Sequence, residues 1–331
     1  MDSAQEKIAA VIVTYNRKNL LGECLDSLLG QSYPLDAIYI VDNHSTDGSY
    51  DFLLGRKLIS PLESSDDKLA EAVRPVPLPG LPDRRLEVHY LRMPENTGCA
   101  GGFHEGLKRA AEAGFHWLWL MDDDLRTAPD ALEVLVQKKR TLEAGRYGPF
   151  ILNCAVLSKD RADNDRLAFP LQEFSASGNP RIGVYHWRLS EVQDKVQDGL
   201  YRWICPFNGT FIPVRVVTEV GLPNKEFFIE GEEKDFFWRA ARRFDVYTVV
   251  SSRVFHPPFR KGTFGWKQYY LIRNMFVVNR HFNFTALRNL KLMVLSLARG
   301  LRHGRPGLAL VVRAIRDGLA GRLGKRDDIH P

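Results

Sequence analysis

The chain has 331 residues, of which 44% are hydrophobic and 11% aromatic, enough for one large α/β domain with an appendage or for two domains. The formal net charge is +6, but residues 285–331 carry ten Lys/Arg against three Asp, so this segment holds +7 and the first 284 residues sum to about −1. Because the basic residues are confined to one segment, the composition argues against a protein that reads nucleic acid with a basic face.

The cysteines and the first residues bear on the compartment. Cys24, Cys99, Cys154 and Cys205 lie far apart and form no CxxC pair, which argues against a disulfide framework or zinc site and fits a reducing cytosolic setting. The opening stretch MDSAQEKIAAVIVTYNR has acidic residues where a signal peptide would be basic. No uninterrupted apolar stretch reaches about 18 residues, so we expect neither a signal peptide nor a transmembrane helix.

The first 125 residues alternate short apolar runs with helical patterns. Four runs are typical of strands buried on both faces: 8–15 (IAAVIVTY), 37–43 (AIYIVDN), 85–93 (RLEVHYLRM) and 115–121 (FHWLWLM). Segments with apolar residues at helical spacing, or with capping residues, lie between them at 17–31, 45–54 and 101–114. This alternation predicts an α/β fold with a mostly parallel, doubly wound sheet and a ligand crevice at the carboxyl ends of the strands.

Two later regions lack a sustained period. Residues 55–86 are rich in proline and charge, and we predict a surface insertion with at most one short helix. Residues 158–201 are again polar and irregular. A further helix is predicted in WKQYYLIRNMF, which begins at Trp266; its aromatic residues can pack into a core or stack on sugars, and Arg273 could reach a diphosphate.

Polar or glycine-rich residues follow each of the four predicted strands. They are Thr14–Arg17, Asp42–Asn43, Asn96–Gly102 and Asp122–Asp124. An acid after the second strand can accept a hydrogen bond from a base or ribose hydroxyl, and a glycine-rich turn lets backbone N–H groups approach phosphate. Their common position after the strands predicts one nucleotide-sized site.

The three consecutive aspartates repel one another unless a cation lies among them. Their oxygens could hold a hard divalent cation. If the backbone stays extended there, alternate residues share a face, so Asp122 and Asp124 form the better ligand pair and Asp123 points elsewhere.

Each feature has an alternative structural explanation. Asp42 could cap the following helix, the glycine-rich turn could serve packing, and the three aspartates could be an acidic turn before a helix. The later stretch EGEEKD could be a solvated helix start. For His256, before two prolines, a structural or capping role is the ordinary interpretation.

Five motifs resemble the family-2 inverting glycosyltransferases of the GT-A (Rossmann-like nucleotide-diphospho-sugar transferase) fold: VTYNR, VDNHSTDGS, PENTGCAGGF, MDDDLRTAPDAL and FFIEGEEKDFFWRA. The resemblance covers Ile8 to His256 and, more weakly, the chain to Asn274. It is closest to bacterial galactofuranosyltransferases, and polysaccharide rhamnosyltransferases are similar in the first half. It divides the chain into a nucleotide-sugar-binding half (1–125), an acceptor-binding and catalytic half (126–284) and a basic helical tail (285–331).

The resemblance also implies site residues. Nucleotide-sugar contacts fall on Thr14, Arg17, Asp42, Asn96, Gly102, Asp123 and Arg273. A divalent metal, Mn²⁺ or Mg²⁺, falls on Asp122, Asp124 and His256. Glu233 matches the catalytic base, although many relatives have Asp there, and we expect crowding by Glu232 to raise its proton affinity. Acceptor contacts fall on Trp203, Asn208, Glu232 and Trp266; core burial is the competing interpretation for Trp203.

The tail contains two stretches, LRNLKLMVLSLARGLRHG and GLALVVRAIRDGLAGRLGKR, with apolar residues at helical spacing and Lys/Arg between them. They are typical of amphipathic helices on an anionic membrane surface, or of helices that pack on the catalytic domain with a solvated basic face.

The expected function is metal-dependent, inverting transfer of a sugar to a polyprenyl-linked or growing polysaccharide acceptor. The resemblance favours galactofuranose from UDP-galactofuranose, at the cytoplasmic face of the inner membrane. Alternatives are a rhamnosyltransferase that uses dTDP-rhamnose and a catalytically dead scaffold docked to the membrane. A nucleotidyltransferase would normally show a basic glycine-rich loop near its N-terminus, which VTYNRKN lacks.

Overall fold

The computed structural model describes residues 6–63, 68–145, 147–159, 165–174, 180–258 and 264–329. The strands are β1 (Ile8–Thr14), β2 (Ala37–Asp42), β3 (Ala70–Leu78), β4 (Leu81–Arg92), β5 (Trp117–Asp122), β6 (Arg126–Thr127), β7 (Phe150–Ser158), β8 (Arg166–Phe174), β9 (Pro180–Arg188), β10 (Leu200–Tyr201), β11 (Thr210–Pro213) and β12 (Asp245–His256). The helices are α1 (Lys18–Leu29), α2 (Ser49–Gly55), α3 (Gly98–Glu112), α4 (Ala131–Ala144), α5 (Arg215–Val220), α6 (Glu232–Ala240), α7 (Trp266–Val278), α8 (Thr285–Arg302) and α9 (Gly304–Leu319). Three 3-10 helices occupy Leu189–Lys195, Lys225–Phe227 and Asn279–His281.

One sheet with the order β10-β12-β7-β11-β5-β1-β2-β4-β3 forms the centre of the fold. Its middle is parallel, because β1 pairs in parallel with both β2 and β5, and β2 pairs in parallel with β4. β11 runs antiparallel between β5 and β7, and β3 runs antiparallel to β4, so the sheet as a whole is mixed. The predicted α/β sheet with flanking helices is confirmed.

The apolar strands are buried on both faces, as the sequence predicts. All seven residues of β1 and all six of β2 are buried. Alternate residues of β1 belong to two different apolar clusters, Ala10 and Ile12 to one and Val11 and Val13 to the other. Since side chains alternate along a strand, these clusters lie on opposite faces of the sheet.

The register aligns the carboxyl ends of the central strands. Thr14 pairs with Asp42 on one side, and Val13 pairs with Asp122 on the other. The polar residues that follow β1, β2 and β5 therefore meet at one edge. The predicted boundary between the two halves of the chain, at 125/126, falls between β5 and β6 of the same sheet.

The prediction of an irregular insertion over 55–86 is wrong for its second part. β3 and the first residues of β4 form an antiparallel hairpin there, and β3 alternates buried and exposed residues. Pro75 and Pro77 obscured this period in the sequence, but β3 lies at the edge of the sheet, where proline is tolerated. Residues 64–67 lie outside the described part.

The prediction of an irregular region over 158–201 is also wrong where the structure describes it. β8 and β9 pair antiparallel, with register shifts, and β8 joins the main sheet through a single pair with β7, Leu157 with Leu167. Residues 160–164 and 175–179 lie outside the described part.

The two helices of the tail differ in their burial. α9 packs against α7 through Val311, Ala314 and Ile315, all of which are buried. α8 buries only Ser296 and Gly300 among its eighteen residues. Among the described helices, none combines the length and the apolar character that a membrane crossing requires.

The start of α3 is held against the segment that precedes α6. Gly98 has a φ of +71°, and a Cβ atom there would lie 1.9 Å from the carbonyl oxygen of Phe228. The backbone N–H of Ala100 donates to the same oxygen at 3.1 Å. A glycine is therefore required at Gly98 for both conformation and contact.

We expect Gly98→Ala to destabilise the protein more than Gly80→Ala does. Gly80 has a similar φ of +74° but nothing within 4 Å of its Cβ position, so it serves as the matched control. An alanine in this conformation costs about 1 kcal/mol at either position, and the clash at Gly98 adds about 1–3 kcal/mol. Urea unfolding of both variants measures the difference, and equal losses would contradict the contact.

Candidate active site

A cavity of about 1040 Å³ lies at the carboxyl edge of the central strands. β1, β5, the residues before α3, the β8–β9 hairpin, the start of α6, and helices α7 and α8 contribute to its wall. Ten of the residues predicted from the sequence line it: Thr14, Arg17, Asn96, Asp122, Asp123, Trp203, Asn208, Glu232, Glu233 and Trp266. The structure therefore brings together most of the predicted donor, base and acceptor residues, although they come from distant parts of the chain.

An arginine partly neutralises the three aspartates. Nη1 of Arg17 donates to Asp123 Oδ1 at 3.2 Å and to Asp124 Oδ2 at 2.8 Å. The hydroxyl of Thr14 donates to Asp123 Oδ2 at 2.7 Å. Burial still raises the pKa of Asp123 to about 6, against the opposing effects of Arg17 and Thr14. Burial, followed by the charges of its two neighbours, raises the pKa of Asp122 well above its usual range.

One oxygen of this cluster has no partner. Asp124 Oδ1 is buried and accepts no hydrogen bond from the described residues. Nε2 of His256 lies 3.4 Å from it, and Nδ1 of the same ring lies 2.6 Å from the carbonyl oxygen of Pro257. When the neutral ring carries its proton on Nδ1 and donates it to the Pro257 carbonyl, Nε2 has a free lone pair. This lone pair and Asp124 Oδ1 then border one position, at which a cation is favourable.

These residues fit a divalent cation only in company with other ligands. Within the described ranges, no group of three or more His, Cys, Asp and Glu side chains is arranged to hold a metal by itself. Mg²⁺ and similar ions are commonly bound by one or two carboxylates together with substrate phosphates and water. Asp124 and His256 match such a partial set, and the side chain of Asp122 lines the adjacent cavity.

A second carboxylate cluster begins α6. Glu233 Oε2 accepts from the backbone N–H of Gly231 at 2.8 Å, and its Oε1 lies 3.4 Å from Nζ of Lys234. Glu232 is buried, and its Oε2 has no hydrogen-bond partner among the described residues. Burial and then the charge of Glu233 raise the pKa of Glu232 well above its usual range. The sequence predicts a raised proton affinity for Glu233. In the structure, the carboxyl of this pair whose pKa is raised well above its usual range is that of Glu232.

Aromatic residues line the cavity beside these carboxylates. Trp203 lies 5.4 Å from the ring of Phe237 and also faces the cavity, so its two interpretations, core packing and ligand contact, both apply. Trp266 meets Tyr270 edge to face at 5.9 Å. Asn208 donates from Nδ2 to the Pro206 carbonyl at 3.0 Å, while its buried Oδ1 has no partner in the described part of the chain.

Asp42 does not reach this cavity, contrary to the sequence prediction. It is fully buried, Oδ1 accepts from the backbone N–H of Ser45 at 2.7 Å, and Oδ2 accepts from the hydroxyl of Tyr90. Both oxygens are used inside the protein, so Asp42 has a structural role; it does not cap α2, whose N-cap is Gly48. Its neighbour Asn43, which was not assigned a role, lines the cavity and donates to the Gly98 carbonyl at 2.9 Å.

Gly102 and Arg273 likewise lie outside the cavity wall. A Cβ atom at Gly102 would lie 2.4 Å from Val13 Cγ1, so this glycine permits close packing of α3 on β1. Arg273 is fully buried, and its Nη1 and Nη2 donate to the carbonyls of Gly324 and Phe227. Protein atoms surround both residues in this arrangement and leave neither of them room to contact a nucleotide.

The sequence analysis missed the contribution of α8 to the cavity. Arg288, Lys291, Leu292 and Leu295 line its far end. The composition of the tail differs from that of the rest of the chain and so predicts a separate segment. Only the packing of α8 in the structure shows that it forms part of the cavity wall. The aromatic Tyr15, which directly follows β1, also lines the cavity. The sequence indicates it only as one residue of the VTYNR motif.

An α/β sheet with an acid-rich carboxyl edge that faces a cleft of this size is typical of an enzyme that binds a nucleotide or another small polar ligand at that edge. The sequence profile of Glycosyl transferase family 2 matches residues 9–58 and 63–188. The chain belongs to this family and is an inverting glycosyltransferase.

One sequence relative agrees with this assignment, and two solved structures are similar in fold. The chain is 28% identical over 259 residues to the galactofuranosyltransferase GlfT1 of Mycolicibacterium smegmatis, which covers 76% of this chain and 71% of that protein. The crystal structure of S. aureus TarS 1-349 is similar in fold, with a TM-score of 0.53 and 13% identity over 96% of this chain and 82% of that one. The structure of GalNAc-T7 with UDP, GalNAc and Mn²⁺ has a TM-score of 0.56 and 16% identity over 83% of this chain and 48% of that one.

We expect Arg17→Ala to destabilise the protein more at pH 8 than at pH 5. The folded pKa of Asp123, about 6, exceeds its ordinary value of 3.8, so ionisation in the folded state lowers stability as the pH rises through this window. Without Arg17 the folded pKa rises further. Because the guanidinium is half-exposed and screened, we expect an additional loss of about 1–2 kcal/mol at pH 8 and little at pH 5.

Urea unfolding at the two pH values measures this effect. Arg56→Ala removes an exposed ion pair with Asp26 and is the control, with an expected change below about 1 kcal/mol at either pH. A loss for Arg17→Ala that is equal at pH 5 and pH 8 would show that Arg17 does not neutralise the buried carboxylates.

Proposed function

We propose that this glycosyltransferase requires a divalent metal and transfers galactofuranose from UDP-galactofuranose to a glycan acceptor, either lipid-linked or a growing polysaccharide. The observation that carries the proposal is Asp124 Oδ1, which is buried without a hydrogen-bond partner among the described residues and lies 3.4 Å from His256 Nε2. Neither Asp124 nor His256 lines the cavity, but the adjacent Asp122 and Asp123 do, together with Glu233. The similarity to GlfT1 supports the donor sugar, and the structure of GalNAc-T7 with UDP and Mn²⁺ supports the metal.

Asp124 and His256, with Asp122 nearby, would hold Mn²⁺ or Mg²⁺. The bound ion would neutralise the charge that develops on the leaving diphosphate. Arg17 orients Asp123 and Asp124 through its two hydrogen bonds and keeps the edge of the site rigid. Thr14 and Asn96 also line the cavity, where they would contact the nucleotide.

Glu233 is the base of the proposed reaction. Its Oε2 is held by the Gly231 N–H, and the side chain lines the cavity, so it can accept the proton of an acceptor hydroxyl. Burial and the charge of Glu233 raise the pKa of the neighbouring Glu232 well above its usual range, and its Oε2, which has no hydrogen-bond partner among the described residues, is available to a hydroxyl of the acceptor. Trp203 and Trp266 provide flat apolar faces on which a sugar ring can stack.

We expect two substitutions to separate metal binding from proton transfer. Asp124→Asn should abolish Mn²⁺-dependent binding of the donor, because it removes the charge of the unpaired oxygen. Glu233→Gln should bind the donor normally but lower the rate of transfer by about 10²–10⁴-fold, since the amide cannot accept the proton. Calorimetry with Mn²⁺ and a panel of nucleotide sugars, followed by transfer assays, measures both effects.

Glu226→Gln is the matched control for Glu233→Gln, because Glu226 is an exposed carboxylate on the neighbouring 3-10 helix and lies outside the cavity wall. It should leave transfer unchanged. Full activity of Glu233→Gln would remove Glu233 as the base, and normal Mn²⁺-dependent binding by Asp124→Asn would remove the metal assignment. Preference for dTDP-rhamnose in the panel would replace the proposed donor, and no transfer from any donor would favour the inactive scaffold.

We further propose that α8 rests on an anionic membrane at the cytoplasmic face, where a lipid-linked acceptor would be presented. Large apolar side chains are more than half exposed on α8 and its cap, at Phe284, Leu287, Leu290, Val294, Leu295 and Leu301. Their spacing of mostly three to four residues places most of them on one side of the helix, with Lys291 and Arg299 alongside. This pattern fits a helix in a membrane interface.

Leu290→Glu with Val294→Glu should release the protein from liposomes that contain anionic lipid. The two charges fall in the centre of the apolar stripe, while the rate of transfer to a soluble acceptor should not change. Val312→Glu, on a similarly exposed position of α9, is the control and should leave sedimentation with liposomes intact. Unchanged sedimentation of the α8 double variant would contradict membrane docking through this helix.

A further inference from the structure

The segment that leads into Glu232 and Glu233 has an unusual backbone. Phe228, Glu230 and Gly231 all have positive φ angles, of 66°, 67° and 99°. Phenylalanine and glutamate rarely adopt this conformation unless their surroundings impose it. The direction in which α6 begins, and hence the position of Glu233, depends on whatever maintains these angles.

Asn274 of α7 is the side chain that contacts this segment most extensively. It is fully buried, and its Nδ2 lies within hydrogen-bond distance of the carbonyls of Phe227, Ile229 and Glu230, at 3.1, 2.9 and 2.6 Å, which share its two hydrogens. These three carbonyls lie within or directly beside the stretch with positive φ angles. One amide group thus satisfies buried acceptors that a helix or strand would otherwise satisfy through backbone N–H groups.

Arg273 fixes the orientation of that amide. Its Nε donates to Asn274 Oδ1 at 2.8 Å, which leaves Nδ2 directed at the segment. Its Nη2 donates to the Phe227 carbonyl at 3.0 Å, and its Nη1 to the Gly324 carbonyl at 2.6 Å. The backbone N–H of Gly324 donates in turn to the Glu226 carbonyl at 2.6 Å, so residues after α9 also hold this segment.

The opposite side of the segment is equally constrained. The Phe228 carbonyl accepts from Ala100 of α3, and Gly98 leaves no space for movement towards that helix. The segment therefore lies between α3, which carries the glycine-rich turn of the donor side, and α7. Any relaxation after loss of the amide must displace the start of α6.

We propose that Asn274 is a positioning residue for transfer: it holds residues 227–231 in the conformation that places Glu233 at the acceptor hydroxyl. This inference rests on the proposed role of Glu233 as the base. Asn274 does not line the cavity and acts only through the backbone, so it influences the rate of transfer and not the binding of the nucleotide.

The test is the steady-state kinetics of full-length Asn274→Ala. Displacement of a catalytic group by about 1 Å costs about 10²-fold in rate, so we expect a fall of this order in kcat per donor-binding molecule. The Kd for the Mn²⁺–donor complex should stay within a factor of about two, since the donor residues are untouched. Donor-binding stoichiometry, measured by calorimetry, corrects kcat for any unfolded fraction.

Ile272→Val is the matched control. Ile272 is buried on the same helix, packs in the apolar cluster that α7 shares with α9, and does not line the cavity. The variant should lower the Tm but leave kcat per donor-binding molecule unchanged. If Asn274→Ala does not fold, Asn274→Ser is measured in the same way; failure of both to fold would overturn the proposal, because Asn274 would then support the whole fold.

The outcomes separate this inference from the proposed function. A normal kcat for Asn274→Ala, together with loss of transfer in Glu233→Gln, would overturn the positioning role alone. Normal transfer by Glu233→Gln would overturn the base itself. Equal falls in kcat for Asn274→Ala and Ile272→Val would also overturn the proposal, since the effect would then follow from general loosening of α7.

Discussion

Three adjacent carboxylates at the end of a buried strand are the feature on which the rest of the site depends. The parallel register of β5 and β1 places them opposite the loop that contains Arg17, which pairs with two of them. One arginine does not neutralise three acids, and burial, with a smaller effect of the neighbouring aspartates, raises the pKa values of Asp122 and Asp123. No described residue donates a hydrogen bond to Asp124 Oδ1, so the fold preserves a buried negative position that a cation can complete.

A second group of acids lines the same cavity, and distant parts of the chain hold it there. α3 contacts the segment before α6 from one side, and α7 contacts it from the other through Asn274. The residues that follow α9 contact the same segment through Gly324. The C-terminal region is therefore part of the catalytic unit as well as a candidate membrane contact, and removal of the whole tail would disturb both functions at once.

The sequence predicted the parallel centre of the sheet well, because buried strands such as β1 and β2 are short apolar runs between helical patterns. It failed at β3, where Pro75 and Pro77 mask an alternation that an edge strand tolerates. Residue type alone could not decide the roles of Asp42 and Arg273. An acid after a strand or an arginine near a cleft can serve a ligand or the protein, and long-range partners, Tyr90 and Phe227 here, determine which.

The central claim is that Asp124 and His256 complete a cation site with the donor's diphosphate. Anomalous diffraction at the manganese edge, from crystals grown with Mn²⁺ and UDP, tests it directly. The account predicts a peak within coordination distance of Asp124 Oδ1 and His256 Nε2, bridged to the diphosphate oxygens. Two results would contradict it: UDP bound in the cavity with Mn²⁺ at another position, or UDP bound in the cavity with no ion at Asp124 Oδ1.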